Sequence, residues 1–251
     1  MNFHTLGETD KPTVLLIHGA LTPYQIMLPI AEHFTSDYKV IIPALDGHTK
    51  DRESTFISIE NEAEKIENYL KETGISDIFC LCGLSLGGAI AHKLLQRGNI
   101  RIRNIVLDGA PLVKSPSFLT KVMTNNYLDI MKKSKARDKK TLDNFCRYFL
   151  PERYLPHFLE FIDKTSEESI INMVLSVGES ELCENLDLSD TKFLYLHGTE
   201  MNEYLSKKSA KKLAKLYPEA TVVCFKGDAH CQCAIYEPDD FAKIILDFIK
   251  R

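Results

Sequence analysis

Apolar residues along the chain fall into two patterns: short continuous runs, and longer stretches in which they recur every three or four positions. Val14-Leu15-Leu16-Ile17 is a continuous, branched run, the pattern of a strand buried on both faces as in a parallel sheet. Val40-Ile41-Ile42, ending at Pro43, is the next, followed by Ile78 to Cys82, Ile105-Val106-Leu107, Phe193 to Leu196 and Thr221 to Phe225. The stretches between them read as helices. Ile59, Ala63, Ile66, Tyr69 and Leu70 share one helical face between Ser58 and Thr73, and Gly74 stops that helix. Pro29 to Phe34, Ala89 to Leu95, and Ala210 to Tyr217 ahead of Pro218 are three more. The last helix has Pro238, Asp239 and Asp240 at its start, Lys250 and Arg251 at its end, and a stripe of Phe241, Ile244, Ile245, Phe248 and Ile249.

Strands and helices alternate up to Pro111, which predicts an α/β protein with a mostly parallel, doubly wound sheet. The alternation breaks between 112 and 186, where only helical patterns occur. Leu142, Phe145, Cys146, Phe149 and Leu150 form one stripe there, Pro151 and Pro156 punctuate the segment, and Thr165-x-x-Glu168 reads as a capping box. The expectation is a core made of 1–111 and 187–251, with 112–186 inserted as a helical cap over the carboxyl ends of the strands.

Composition narrows the partners. The net charge of -4 offers no basic excess to displace counterions from phosphates, which argues against nucleic acid. No run approaches the ~18 apolar residues of a membrane span, and the N-terminus shows no secretory signal. Seven cysteines in such a chain read as reduced thiols, hence a cytoplasmic protein.

The chemistry centres on Gly83-Leu84-Ser85-Leu86-Gly87-Gly88, between an apolar strand and a small-residue helix. A turn this sharp leaves no room for a Cβ two residues before or after the serine, and it lifts the hydroxyl to the sheet's carboxyl edge. The helix that follows favours negative charge developing there.

Together these landmarks resemble the α/β-hydrolase fold family, and its serine esterases and lipases in particular. They fall in family order: a strand ending in His18-Gly19, a strand running into Asp46-Gly47-His48, the Gly83-x-Ser85-x-Gly87 elbow, a helical insertion, and His230 after the last strand. The resemblance implies Ser85 as nucleophile and His230 as general base, since a serine hydroxyl is a weak nucleophile until a base takes its proton. It also implies an oxyanion site made of the Ala20 and Leu86 amides, with His18 as a structural hydrogen-bonder.

The triad acid departs from the family pattern. Counting from Gly198 lands on Met201, which cannot orient an imidazole. Glu200 is the leading candidate and Asp108, at the end of the strand after the elbow helix, the second; Glu203 or a dyad without an acid are the remaining options.

Other signals are weaker. His230-Cys231-Gln232-Cys233 matches no usual zinc spacing, so no metal is expected, and the cysteines read as packing a helix start. Lys132 to Lys140 is a basic run, either a solvated helix face or a field steering an anionic substrate. His92 reads as a packed or surface histidine. The expected function is hydrolysis of a small to medium carboxylic ester or thioester through an acyl-enzyme on Ser85, with no cofactor and a small-molecule substrate as partner. Amide or carbon–carbon bond hydrolysis on the same residues, or a binding protein with weakened chemistry, are the alternatives. The oligomeric state is left open.

Overall fold

The computed structural model describes every residue except Arg52, Met201 and Arg251, so the position reached by counting from Gly198 lies outside the described residues. In chain order the strands and helices are β1 (Asn2–Leu6), β2 (Thr13–Ile17), α1 (Leu28–Glu32), β3 (Lys39–Ala44), α2 (Ile59–Glu72), β4 (Asp77–Leu84) and α3 (Leu86–Arg97). Next come β5 (Arg101–Ile102), β6 (Asn104–Asp108), α4 (Ser117–Lys135), α5 (Lys139–Tyr148), α6 (Leu155–Ile162) and α7 (Glu167–Glu179). The chain closes with β7 (Lys192–His197), α8 (Tyr204–Leu216), β8 (Thr221–Cys224), α9 (Gln232–Tyr236) and α10 (Pro238–Ile249).

The strands form one sheet in the order β1-β3-β2-β4-β6-β7-β8, with β5 paired to β4. Every pairing is parallel except β1 with β3. The sequence pattern did not announce β1, because Asn2-Phe3-His4-Thr5-Leu6 is a half-exposed edge strand with no continuous apolar run. Pro43 continues β3 rather than ending it. Pairing with β2 stops at Ile41, and beyond it β3 has only β1 beside it, an edge setting that tolerates a missing amide donor.

Successive strand residues point to opposite faces, and both faces are covered. Val14, Leu16, Cys80, Cys82 and Val106 belong to one apolar cluster with α1 and α10. Leu15, Ile17, Leu81, Ile105 and Leu107 belong to a second cluster with α2, α3 and α8. Burial on both sides is why these strands read as continuous apolar runs.

Helices α4 to α7 enter between β6 and β7. Their apolar faces join the same two clusters, through Phe145, Phe158 and Phe161 on one side and Met173 on the other. Ser166, not Thr165, caps α7 by accepting from the Ser169 amide. Thr165 is diverted: its hydroxyl donates at 2.7 Å to the Gly47 carbonyl, which ties the inserted helices to the turn after β3.

Candidate active site

The turn between β4 and α3 is as tight as its glycines suggest. A Cβ on Gly83 would lie 2.7 Å from the Gly88 Cα, and one on Gly87 would lie 2.5 Å from the His18 carbonyl oxygen. Ser85 itself has φ 50° and ψ -112°, a region that costs a non-glycine residue of order 1–3 kcal/mol. The strain is held by neighbours: the Ser85 amide donates to the Asp108 carbonyl at 2.8 Å, tying the elbow to the end of β6. Leu86 opens α3, where backbone amides have no acceptor within the helix.

His230 sits on the loop after β8, its ring against Gly109, where a Cβ would come 2.6 Å from the imidazole Cε1. Its Nδ1 hydrogen-bonds Glu203 Oε1 at 3.0 Å. Glu203 is the residue from which α8 starts, and its side chain is completely buried. Burial works against its ionisation, but the hydrogen bond and charge of His230 outweigh that and hold the carboxyl below its ordinary value.

Two loops are clipped together to make this contact. The Thr199 and Glu200 amides both donate at 2.9 Å to the Asp228 carbonyl, and the Gly227 amide donates to Thr199 Oγ1 at 2.8 Å. Gly198 permits the approach, because a Cβ there would lie 2.9 Å from the Asp228 carbonyl carbon. Left-handed Asn202, at φ 68°, then turns the chain so that Glu203 faces inward.

The other two carboxylates make no such contact with His230. Glu200 is exposed, and among the described residues its carboxylate accepts only a long 3.4 Å bond from its neighbour Thr199. Asp108 is buried at the end of β6, and its Oδ2 has no hydrogen-bond partner among the described residues. Burial, with the charges of Glu203 and Asp228, pushes its carboxyl up to about 7 against the opposing pull of His230. Its carbonyl accepts from the Cys231 thiol at 3.4 Å.

A cavity of about 430 Å³ opens over the elbow, and Ala20, Ser85 and His230 all line it. Ser85 and His230 thus face the same cavity, beside the loop that carries Ala20. The inserted helices contribute Leu119, Met123, Asn126, Ile130, Phe145, Val174 and Val177 to its lining.

Sequence reasoning named the Asp46-Gly47-His48 turn only as a landmark; in the structure it supports the Ala20 loop. The Leu21 amide donates to His48 Nε2 at 3.0 Å, and the Leu45 amide donates to His18 Nε2 at 3.2 Å. With each Nε2 accepting, the Nδ1 protons donate to carbonyls, His48 to Asp46 at 3.1 Å and His18 to Gly19 at 2.9 Å. Burial keeps both rings neutral. It drives His48 down to about 4, and it lowers His18 well below the usual range, where a second positive charge beside His48 would also be repelled. Leu21 itself is strained at φ 56°, so the His48 bond pins the residue directly after Ala20.

The remaining signals resolve into structure. His92 is buried and accepts from the Cys183 amide at 3.2 Å. Cys231 and Cys233 are buried around the start of α9, and among the described residues no group of three or more His, Cys, Asp or Glu could hold a metal ion. Among the described residues no helix is long and apolar enough to cross a membrane.

A family model described as the alpha/beta hydrolase fold matches residues 12–234. No curated protein matches the chain in sequence. Among solved structures, an alpha/beta hydrolase family protein from Desulfitobacterium hafniense superposes with a TM-score of 0.78 at 22% identity, covering 98% of this chain and 99% of that one. A carboxylesterase study of Nitrososphaera gargenis provides a second, with a TM-score of 0.77, 17% identity and coverage of 99% and 93%. A thermophilic esterase from Thermogutta terrifontis is a third, with a TM-score of 0.76, 17% identity and coverage of 99% and 92%.

Proposed function

The chain belongs to the alpha/beta hydrolase fold family, and from that premise we propose that it is a serine hydrolase of carboxylic esters that works through an acyl-enzyme on Ser85. The observation that carries this reading is the His230–Glu203 hydrogen bond beside the cavity onto which the strained Ser85 opens.

In the proposed cycle His230 takes the Ser85 proton as Oγ bonds to the acyl carbon. The carbonyl electrons move onto oxygen, where the amides of Ala20 and Leu86 stabilise the charge. Collapse breaks the ester C–O bond, and His230 returns the proton to the leaving alkoxide. Water, deprotonated by His230, then attacks the acyl-enzyme and releases the acid, restoring Ser85. Glu203 acts by holding His230 with its proton on Nδ1 and stabilising the imidazolium while it exists. Asp108, protonated up to about pH 7 and without a hydrogen bond to His230, is the weaker choice for this task.

The inserted helices are proposed as a cap, supported by their share of the cavity lining. A reducing, cytoplasmic setting is part of the same reading, supported by seven free thiols. A carboxylate on His230 supports this reading over that of a binding protein with weakened chemistry.

Turnover of p-nitrophenyl butyrate tests the reading. S85A should abolish it, E203Q should lower kcat by about 10³- to 10⁴-fold, and E200Q should leave it within about threefold. Full turnover by S85A contradicts the mechanism. Equal losses in E203Q and E200Q contradict the role given to Glu203.

A further inference from the structure

Resting on the serine-ester reading, we propose that the substrate is an uncharged ester with an apolar, medium-length acyl chain, and that acyl groups carrying a carboxylate or phosphate are rejected. Among the described residues lining the cavity there is no Lys, Arg, Asp or Glu. Its polar groups near the elbow are few, and some are already committed: Thr22 donates to the Gly19 carbonyl at 2.9 Å, and Ser206 to the Gly109 carbonyl at 3.1 Å. The rest of the lining is mostly aliphatic or aromatic, from Leu119, Met123, Ile130, Phe145, Val174 and Ile235, and its further polar groups, the Asn126 and Asn202 amides and the Tyr127 and Tyr204 hydroxyls, are uncharged.

The obvious source of positive charge faces elsewhere. Lys132 pairs with Glu167 at 3.1 Å and Lys133 with Asp129 at 2.6 Å. Lys135 donates to the Thr165 carbonyl at 2.7 Å, and Arg137 pairs with Asp163 at 2.6 Å. None of the residues from Lys132 to Lys140 lines the cavity. An anionic acyl group would therefore shed its hydration with no cation to replace it, a cost far larger than any gain from packing its methylenes.

The acyl group is the part of the substrate that stays beside Ser85 through both half-reactions, so the cavity over the elbow selects for it. About 430 Å³ lies in the range of sites for small organic ligands. At roughly 30 Å³ per water-sized unit it takes on the order of ten heavy atoms.

The test is kcat/KM across p-nitrophenyl acetate, butyrate, hexanoate, octanoate and decanoate, with the mono-p-nitrophenyl ester of adipic acid as the anionic counterpart of the hexanoate. Each added pair of methylenes should raise kcat/KM by several fold until an optimum at about six to ten carbons. The adipate half-ester should fall at least about tenfold below hexanoate. L119R, which puts a cation in the lining, should narrow that gap selectively. Labelling of Ser85 by a fluorophosphonate checks that each protein is folded and competent. With labelling intact, an adipate half-ester turned over as well as hexanoate, a rate falling steadily from acetate, or an L119R ratio equal to wild type overturns the inference and leaves the serine-ester reading standing. No labelling together with no turnover of any ester overturns both.

Discussion

Asp108 illustrates how one side chain can sit close to the proposed catalytic groups without being equipped for their task. Burial, its largest influence, keeps the carboxyl protonated up to about pH 7, while the unfolded chain ionises it near 3.8. The folded pKa is raised, so the folded state holds a proton that the unfolded state has released between those values. Stability is therefore lost as pH rises from about 4 to 7 and changes no further above that, a penalty on the order of 4 kcal/mol. D108N removes the titrating group. Urea unfolding at pH 5 and pH 8 should show the variant gaining on wild type by roughly 2–3 kcal/mol between the two. A difference independent of pH contradicts the assignment of a neutral buried acid.

Glu203 marks the limit of reading residues one at a time. Ser85 and His230 stand out in the sequence because a glycine pattern and a position after the last strand constrain them. The partner of His230 does not, because Glu200 and Glu203 are the same residue type three positions apart in a loop without periodicity. Only the turn through Asn202 and the burial beneath α8 separate them, and both depend on where that helix begins.

At the scale of elements, the structure is a set of loops fixed by their neighbours. The turn after β3 reaches the Ala20 loop through His48, and the inserted helices reach the same turn through Thr165 and Phe161, whose ring lies 5.1 Å from that of His48. H48F keeps an aromatic ring but leaves the Leu21 amide unpaired beside Ala20, whose amide is proposed to hold the oxyanion. On p-nitrophenyl butyrate it should lower kcat by about 10- to 100-fold with KM nearly unchanged, the signature of an interaction that matters in the transition state. H48Q, whose side-chain oxygen can accept, should recover part of the loss. An increase in KM alone, or no recovery by H48Q, assigns His48 to packing only. The strands were legible because the sheet is buried on both faces, which writes continuous apolar runs into the sequence. β1 was not, since an antiparallel edge with one exposed side leaves a pattern too mixed to separate from a loop.

Across the whole molecule, the parallel sheet brings the carboxyl ends of β4, β6 and β7 together and so gathers Ser85, Asp108 and the Glu203 loop at one rim. The last loop returns His230 to the same place. Fold and chain order were therefore readable together, since the order of motifs is the order in which the sheet is wound. The helical share of the cavity lining was not, because helical spacing gives a face but not which part of that face meets a cavity. The account as a whole stands on an activated Ser85. Intact-mass analysis after incubation with a fluorophosphonate should find one adduct on the wild-type protein, mapped to Ser85, far slower labelling of H230A and none of S85A. Unlabelled wild-type protein, or S85A labelled as fast as wild type, contradicts it.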